Sequence, residues 1–286
     1  MKNPEVKLLY KYQSLPSDEA ERKNKLEAIK NNSVYFASPD EFNDPLDCRI
    51  EFKLNKNDMK KFFNFLVQHE SIQHEMKVPP EWELAKALQM ARQGDKDAKN
   101  ALERLGKQTD NIFAKIHDAI NKSLGIFCLA ESPLCSLMWS HYSDSHKGFC
   151  VEYERSPGSL LASNTQTFRV RYTNDYPLLA VADLLNTMTA IAGSKGKAIP
   201  LEELVLGSIC LTKADCWSYE KEWRVIAASK QFVGKANLSR KTVIFGLKTP
   251  AEDIKAILEV LPEKVACERV KFKPRSFELM REKLPR

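Results

Sequence analysis

Cys128–Glu154 reads CLAESPLCSLMWSHYSDSHKGFCVEYE, two apolar ends around a middle that no core strand would need. The ends belong to β-like runs, Gly125–Ala130 and Gly148–Tyr153, short and rich in the residues that fit a buried pleated surface. Between them Met138-Trp139-Ser140-His141-Tyr142 sets two large aromatics, a hydroxyl and an imidazole side by side. Working outward, further β-like runs fall at Val6–Tyr12, Ser33–Ala37, Phe168–Tyr172, Glu222–Ala227 and Thr242–Leu247. Helical spacing is expected at Leu26–Ile29, about Leu178–Ala192 and Leu201–Cys210, and the C-terminal part reads strand, helix, strand. These strands do not alternate regularly with crossover helices, which disfavours a doubly wound parallel sheet. The predicted class is α+β, with a mixed, mainly antiparallel sheet core.

From about Asn55 to Ser123 the composition shifts to Lys, Glu, Gln, Ala and Leu with helical periodicity, punctuated by Pro79-Pro80 and Gly94. This predicts one α+β domain over residues 1–286 with 55–123 as an all-helical insertion subdomain. The insertion's His69 and His74 have no nearby cysteines or second ligand pair, so it is not expected to hold the chemistry.

The chain has 286 residues, 43% hydrophobic and 29% charged, ordinary for a globular protein with a sizeable core. No apolar run approaches the ~18 residues of a membrane span, and MKNPEVKLLYKY lacks the apolar segment of a signal peptide, so the expected location is the cytoplasm, with no membrane partner. Seven cysteines without a Cys-x-x-Cys spacing read as reduced core thiols. The net charge is +6, and residues 264–286 alone hold eight Lys or Arg against three Asp or Glu. This basic C-terminal segment could touch the phosphates of a nucleic acid or form a solvated face.

Glycine-rich phosphate loops and the Gly-x-Ser-x-Gly nucleophile elbow are absent, which disfavours ordinary Rossmann dehydrogenases, P-loop ATPases and α/β-hydrolases. His141, Asp144 and His146 are metal-ligating types, but on a helix residues five apart diverge by about 140°, and no histidine follows them; no metal is expected. The aromatic cluster then has two readings: Trp139 packs in the core and His141 satisfies backbone groups, or the cluster lines a substrate site. Ser38-Pro39-Asp40-Glu41 places a hydroxyl at N-cap, proline at N1 and glutamate at N3, so a helical turn should start there. Glu41-Phe42-Asn43-Asp44-Pro45 is a turn by composition whose Phe42 anchor suits a pocket rim as well. In Trp217–Val225, an extended chain from Glu220 would put Glu220, Glu222 and Arg224 on one face. That is either a salt-bridged edge strand or a carboxylate pair held by Arg224.

Leu9-Tyr10-Lys11-Tyr12, Tyr35-Phe36-Ala37-Ser38-Pro39, Phe42-Asn43-Asp44-Pro45, Leu137–Tyr142, His146-Lys147-Gly148 and Glu220–Arg224 together resemble the bacterial domain-of-unknown-function family 2971. A more distant resemblance is to ADP-ribosyltransferases: Tyr10 or Tyr12 would take the first-strand position, and Val34-Tyr35-Phe36-Ala37 is similar to the second strand of the poly-ADP-ribosylating branch. Glu220 and Glu222 are similar to the paired glutamates of the arginine-modifying branch. The resemblance implies NAD as substrate, Glu222 stabilising an oxocarbenium ion, Glu220 orienting or deprotonating an acceptor, and Tyr35 stacking on nicotinamide. Trp139, His141 and Tyr142 would form a further wall with His141 and Tyr142 as donors, and Ser38, Asn43, Asp44 and Arg224 would complete the binding residues. Three functions from different classes follow: an NAD-consuming transferase or glycohydrolase, a nucleic-acid-binding or cleaving protein, and a non-enzymatic sensor or interaction module. A toxin or phage-defence role is a further expectation for bacterial proteins of this kind, and the acceptor is open.

Overall fold

A computed structural model describes residues 3–49, 51–53, 86, 89–180, 210–227, 231–233 and 237–285. The chain divides into two compact units, Met1–Asp47 with Lys122–Asp175 and Leu211–Arg286, and Cys48–Asn121 with Tyr176–Cys210.

The first unit holds β1 (Leu8–Gln13), α1 (Glu19–Lys30) and β2 (Val34–Phe36). The second holds β3 (Glu51–Lys53) and most of α2 (Lys96–Ser123). The chain returns to the first unit with β4 (Gly125–Ala130), α3 (Ser136–Tyr142), β5 (Phe149–Glu154), β6 (Thr167–Arg169) and β7 (Arg171–Thr173). After β8 (Leu178–Ala180) in the second unit, the first is completed by β9 (Thr212–Ala214), β10 (Glu222–Ala227), β11 (Gln231–Val233), β12 (Ser239–Phe245), α4 (Ala251–Val260), β13 (Ala266–Phe272) and β14 (Leu279–Lys283).

Eight strands form one sheet in the order β14-β13-β12-β5-β1-β4-β10-β6. Every pairing in it is antiparallel except β12 with β13, so the core is α+β with a mixed, mainly antiparallel sheet. Side chains alternate across it with period two. Leu9, Phe127, Val151, Trp223, Val225 and Val243 face one side, where Ile29 of α1 and Ile257 of α4 close a core. Tyr10, Tyr12, Ala130, Cys150 and Ile244 face the other and pack with Met138 and Trp139 of α3. In the second unit β3 pairs in parallel with β8, Glu51 opposite Leu178.

Helix α1 is longer than the apolar spacing at Leu26–Ile29 suggests, because its ends are set by polar residues. The Asp18 carboxylate accepts the Glu21 N–H at 2.9 Å, Glu19 and Glu21 occupy the first turn and Lys30 the last. The helical stretch expected from Leu178 begins instead as strand β8. The rest of that stretch, residues 201–209, and 55–85, 87 and 88 of the expected insertion, with His69 and His74, lie outside the described residues. The run Phe168–Tyr172 is two strands, β6 on β10 and β7 on β9, with Val170 N–H bonding Glu222 O at the break. Cys216 is exposed, not in the core where the cysteines are expected. Among the described residues no helix is long and apolar enough to cross a membrane.

Strands β1 and β5 pair along six residues, whereas β1 and β4 share the single register Tyr10–Ala130. Beyond it the two strands share no further register, and Ile126 of β4 exchanges both its main-chain hydrogen bonds with Ala37 after β2, at 2.7 and 3.0 Å. Gly148, where the chain leaves α3 and enters β5, sits against β1: a Cβ there would lie 2.1 Å from Gln13 O and 2.8 Å from Ser143 Cβ. Both obstacles are short and one is backbone, so Gly148→Ala should destabilise the protein by about 2 kcal/mol or more. A wild-type urea midpoint for this variant would overturn the close approach.

Candidate functional site

The divergence of β1 and β4 holds a cavity of about 640 Å³, lined from one strand by Lys11 and Tyr12 and from the other by Phe127 and Cys128. That volume is within the roughly 300–1,000 Å³ of small-ligand sites. Glu220, Glu222, Lys213 and Asp47 form one end, with Asn43, Met138 and Tyr142 beside them.

That end is built from segments far apart in sequence. Strand β9 brings in Lys213, a 3-10 turn at Asp215–Glu220 follows, and Lys221 adopts the left-handed conformation with φ 45° before β10 begins at Glu222. Glu220 is therefore not on an extended strand with Glu222, as the period-two reading required; the left-handed residue turns the chain so that both carboxylates point inward. Trp223, the neighbour of opposite parity, packs in the core. The Glu222 N–H is held by the Tyr172 hydroxyl at 2.7 Å.

Arg224 is 0% exposed. Its Nε donates to Glu222 Oε1 at 2.8 Å, and its Nη2 to Glu222 Oε2 at 3.0 Å and Asp47 Oδ2 at 2.6 Å. Its guanidinium lies 5.4 Å from the centre of the Phe42 ring. Lys213 Nζ bonds Glu220 Oε2 at 2.6 Å and Glu222 Oε2 at 3.2 Å, lies 3.4 Å from Asp47 Oδ2, and stands 5.0 Å from the Trp217 ring centre. The Tyr142 hydroxyl donates to Glu220 Oε1 at 2.6 Å. Three carboxylates against two cations leave the cluster one net negative charge.

The two glutamates are tuned apart. Burial pushes Glu222 up, but the charges of Arg224 and Lys213 outweigh it and hold the carboxyl at about 2. Burial also pushes Glu220 up, and with Glu222 beside it Lys213 does not bring it back, so it stays above the usual carboxylate range. Burial would discharge Lys213, yet Glu222, Asp47 and Glu220 raise its pKa and keep it an ammonium. Burial raises the Tyr142 phenol as well, keeping it a donor.

Of the residues singled out in the sequence, Tyr10, Tyr12, Tyr35, Asn43, Tyr142, Glu220 and Glu222 line this cavity. Arg224 stands behind Glu222 and braces it. Trp139 is fully buried, donates its indole N–H to Pro133 O at 2.8 Å and meets Tyr12 edge-on at 5.1 Å, so it supports the wall without forming it. His141 is exposed and outside the lining, its ring against Trp217 and Tyr219 at 5.9 and 6.4 Å. Ser38 is buried at the start of the Pro39–Glu41 turn, bonded to Asp40, while Glu41 accepts the Ser38 N–H at 3.1 Å and the Tyr35 hydroxyl at 2.8 Å. Asp44 caps its own turn by accepting the Leu46 N–H. Among the described residues no group of three or more His, Cys, Asp or Glu is arranged to hold a metal ion. In the basic C-terminal segment, Lys271 pairs with Glu282, Lys273 with Glu278, and Arg281 with Glu152 and Glu268.

Lys213, Asp47 and Tyr172 escaped the sequence reading. The one trace of Lys213 is a lone lysine in the run Cys210-Leu211-Thr212-Lys213-Ala214, just ahead of the two glutamates.

The depressed Glu222 carboxyl contributes stability that is present above its ordinary value of 4.5 and lost as the pH falls through about 2. Glu220, shifted the other way, opposes folding at neutral pH and is relieved on acidification. Melting temperature should therefore drop between pH 4.5 and 2, less steeply than wild type in Glu222→Gln and at least as steeply as wild type in Glu220→Gln, which keeps Glu222 and its cations. Identical acid profiles for wild type and Glu222→Gln would contradict the ion-pair geometry.

No curated protein and no solved structure matches the chain. Residues 138–225, which run from α3 through Lys213 and the glutamate pair to the middle of β10, match the model of a family described as protein of unknown function, DUF2971.

Proposed function

We propose that the cavity is the active site of an NAD-consuming enzyme, and that Glu220 and Glu222 cleave the nicotinamide–ribose bond. The observation that carries this reading is the pair of neighbouring carboxylates displaced in opposite directions inside a tyrosine-lined cavity. Opposed tuning of two carboxylates is how one site supplies both a permanent charge and a proton acceptor. Glu222, depressed, is the permanent charge, and the net negative end of the cavity favours a pyridinium ring and the oxocarbenium ion that forms as it leaves. The C1′–N bond breaks with its electron pair going to the ring nitrogen, so nicotinamide departs neutral. Glu220, raised, is the better base: it accepts the proton of the water or acceptor hydroxyl whose oxygen bonds to C1′. Lys213 and the Tyr142 hydroxyl fix its orientation.

Incubating the full chain with NAD and measuring free nicotinamide tests the reaction; no release with water or an added acceptor would remove it. Glu222→Gln keeps shape and loses charge, so turnover should fall by roughly two to three orders of magnitude while NAD still binds. Glu220→Gln should instead slow the capture of C1′ by an acceptor more than nicotinamide release. If Glu222→Gln melts early but each folded molecule turns over at the wild-type rate, Glu222 is scaffold and the mechanism loses its central residue.

A further inference from the structure

At the other end of the cavity stand two ammonium groups that the glutamate chemistry does not use. Lys11 lies between Tyr10 and Tyr12 on β1 and by parity projects to the opposite face from them, its Nζ 5.2 Å from the centre of the Phe127 ring. Lys25, on α1, lines the same space. Glu21, one helical turn earlier, is its natural partner, yet among the described residues no carboxylate forms an ion pair with either lysine. We propose that Lys11 and Lys25 form an anion subsite that takes the bridging diphosphate of a dinucleotide, with Gln13, Ser14 and Asn24 lining the space around it. The inference rests on the reading of this cavity as a nucleotide site.

Lys11 and Lys25 are each half-buried, and two like charges near one another with no carboxylate paired to either among the described residues cost stability that a structural role would remove by pairing them. Burial, helped by the charge of Lys11, lowers Lys25 to about 8. An anion arriving between the two would supply the missing partner and restore the proton. Outside the charge cluster, the other titratable groups lining the cavity are Glu21 from α1, Tyr10 and Tyr12 from β1, Tyr35 and Glu41 from β2 and the turn after it, Tyr142 from α3, and Tyr153 and Cys128 from the sheet. Glu41 is already engaged by the Tyr35 hydroxyl, and burial keeps the Cys128 thiol and the Tyr153 phenol protonated near neutral pH. The cavity thus has a negative end at Glu220 and Glu222 and a positive end at the lysines. A ligand that matches it carries a cationic or neutral ring at one end and a diphosphate at the other.

Calorimetric titration of the full chain with ADP-ribose, whose diphosphate diester does not titrate near neutral pH, and with adenosine separates the two ends. ADP-ribose should bind and adenosine should bind at least tenfold more weakly. Lys25→Met and Lys11→Met should each weaken ADP-ribose at least tenfold and leave adenosine unchanged. Binding at pH 8 should take up on the order of half a proton, absent at pH 6 and absent in Lys25→Arg, which keeps the affinity. Because Lys25→Met removes an uncompensated charge, its melting temperature at pH 7 should equal or exceed that of the wild type. Unchanged ADP-ribose affinity in both methionine variants, or no ADP-ribose binding by the wild type, overturns the subsite. Lysine-dependent binding without nicotinamide release supports it, and it is then the cleavage reading that fails.

Discussion

Arg224 is a fully buried guanidinium in the middle of a β-strand, and its proton cannot be removed to relieve it. The carboxylates around it are the condition on which the strand can be there at all. Glu222 supplies a bidentate partner two residues away and Asp47 reaches in from the end of the N-terminal segment. Those two, with Glu220, leave more negative charge than one arginine balances, and Lys213 is the second cation that closes the cluster. The chain path of the site follows: the left-handed residue at Lys221, the short strand β9 and the turn that carries Phe42 over the guanidinium all bring a charge or a cover to Arg224.

A cluster of this kind is a poor source of stability, since desolvating five ionised groups costs about as much as their pairing returns. Well-packed apolar residues would hold β10 on β4 equally well. What the charges add is an environment in which two identical carboxyl groups behave differently. Glu222 has two cations and its acidity is increased; Glu220 has one, plus a neutral phenol, and sits beside an ionised neighbour. The split in the sheet makes this environment reachable, because β1 and β4 part company after Tyr10–Ala130 and a ligand can stand where ladder hydrogen bonds would otherwise run.

The fold class was legible because burial leaves short β-like runs in the sequence: the apolar Gly125–Ala130, and Glu222–Ala227 with Trp223, Val225 and Ile226 around two charges, have the bounds read from it. The α1 helix was only half legible, since its apolar spacing is confined to the few positions that face the sheet and the rest of its length is set by Asp18 and the first-turn glutamates. The glutamate pair was recognisable as a motif, but its geometry was not, because a period-two argument has no way to foresee a left-handed lysine between the two carboxylates. Asp47 joins Arg224 across 177 residues and Lys213 joins Glu220 across 7, and nothing local marks that aspartate or that lysine as a member of the cluster. His141 has a residue type that suggests chemistry, and its place on α3 leaves it exposed, against Trp217 and Tyr219 and outside the cavity lining.

The crowding of aromatic and polar residues at Met138–Tyr142 has its cause in the seven-residue helix α3, which has to serve two environments at once. Its first-turn side builds core: Trp139 reaches back to the Pro133 carbonyl and backs Tyr12, whose own hydroxyl bonds Ser132 O at 2.8 Å. Its last residue enters the cavity, where the Tyr142 hydroxyl meets Glu220. A helix this short cannot hold its position by backbone bonding alone, and the chain leaving it passes through three consecutive left-handed residues, Asp144, Ser145 and His146, before Gly148 lets β5 pass against β1. Trp139 is therefore the anchor that makes the placement of Tyr142 definite, and through Tyr142 it bears on the orientation of the Glu220 carboxylate.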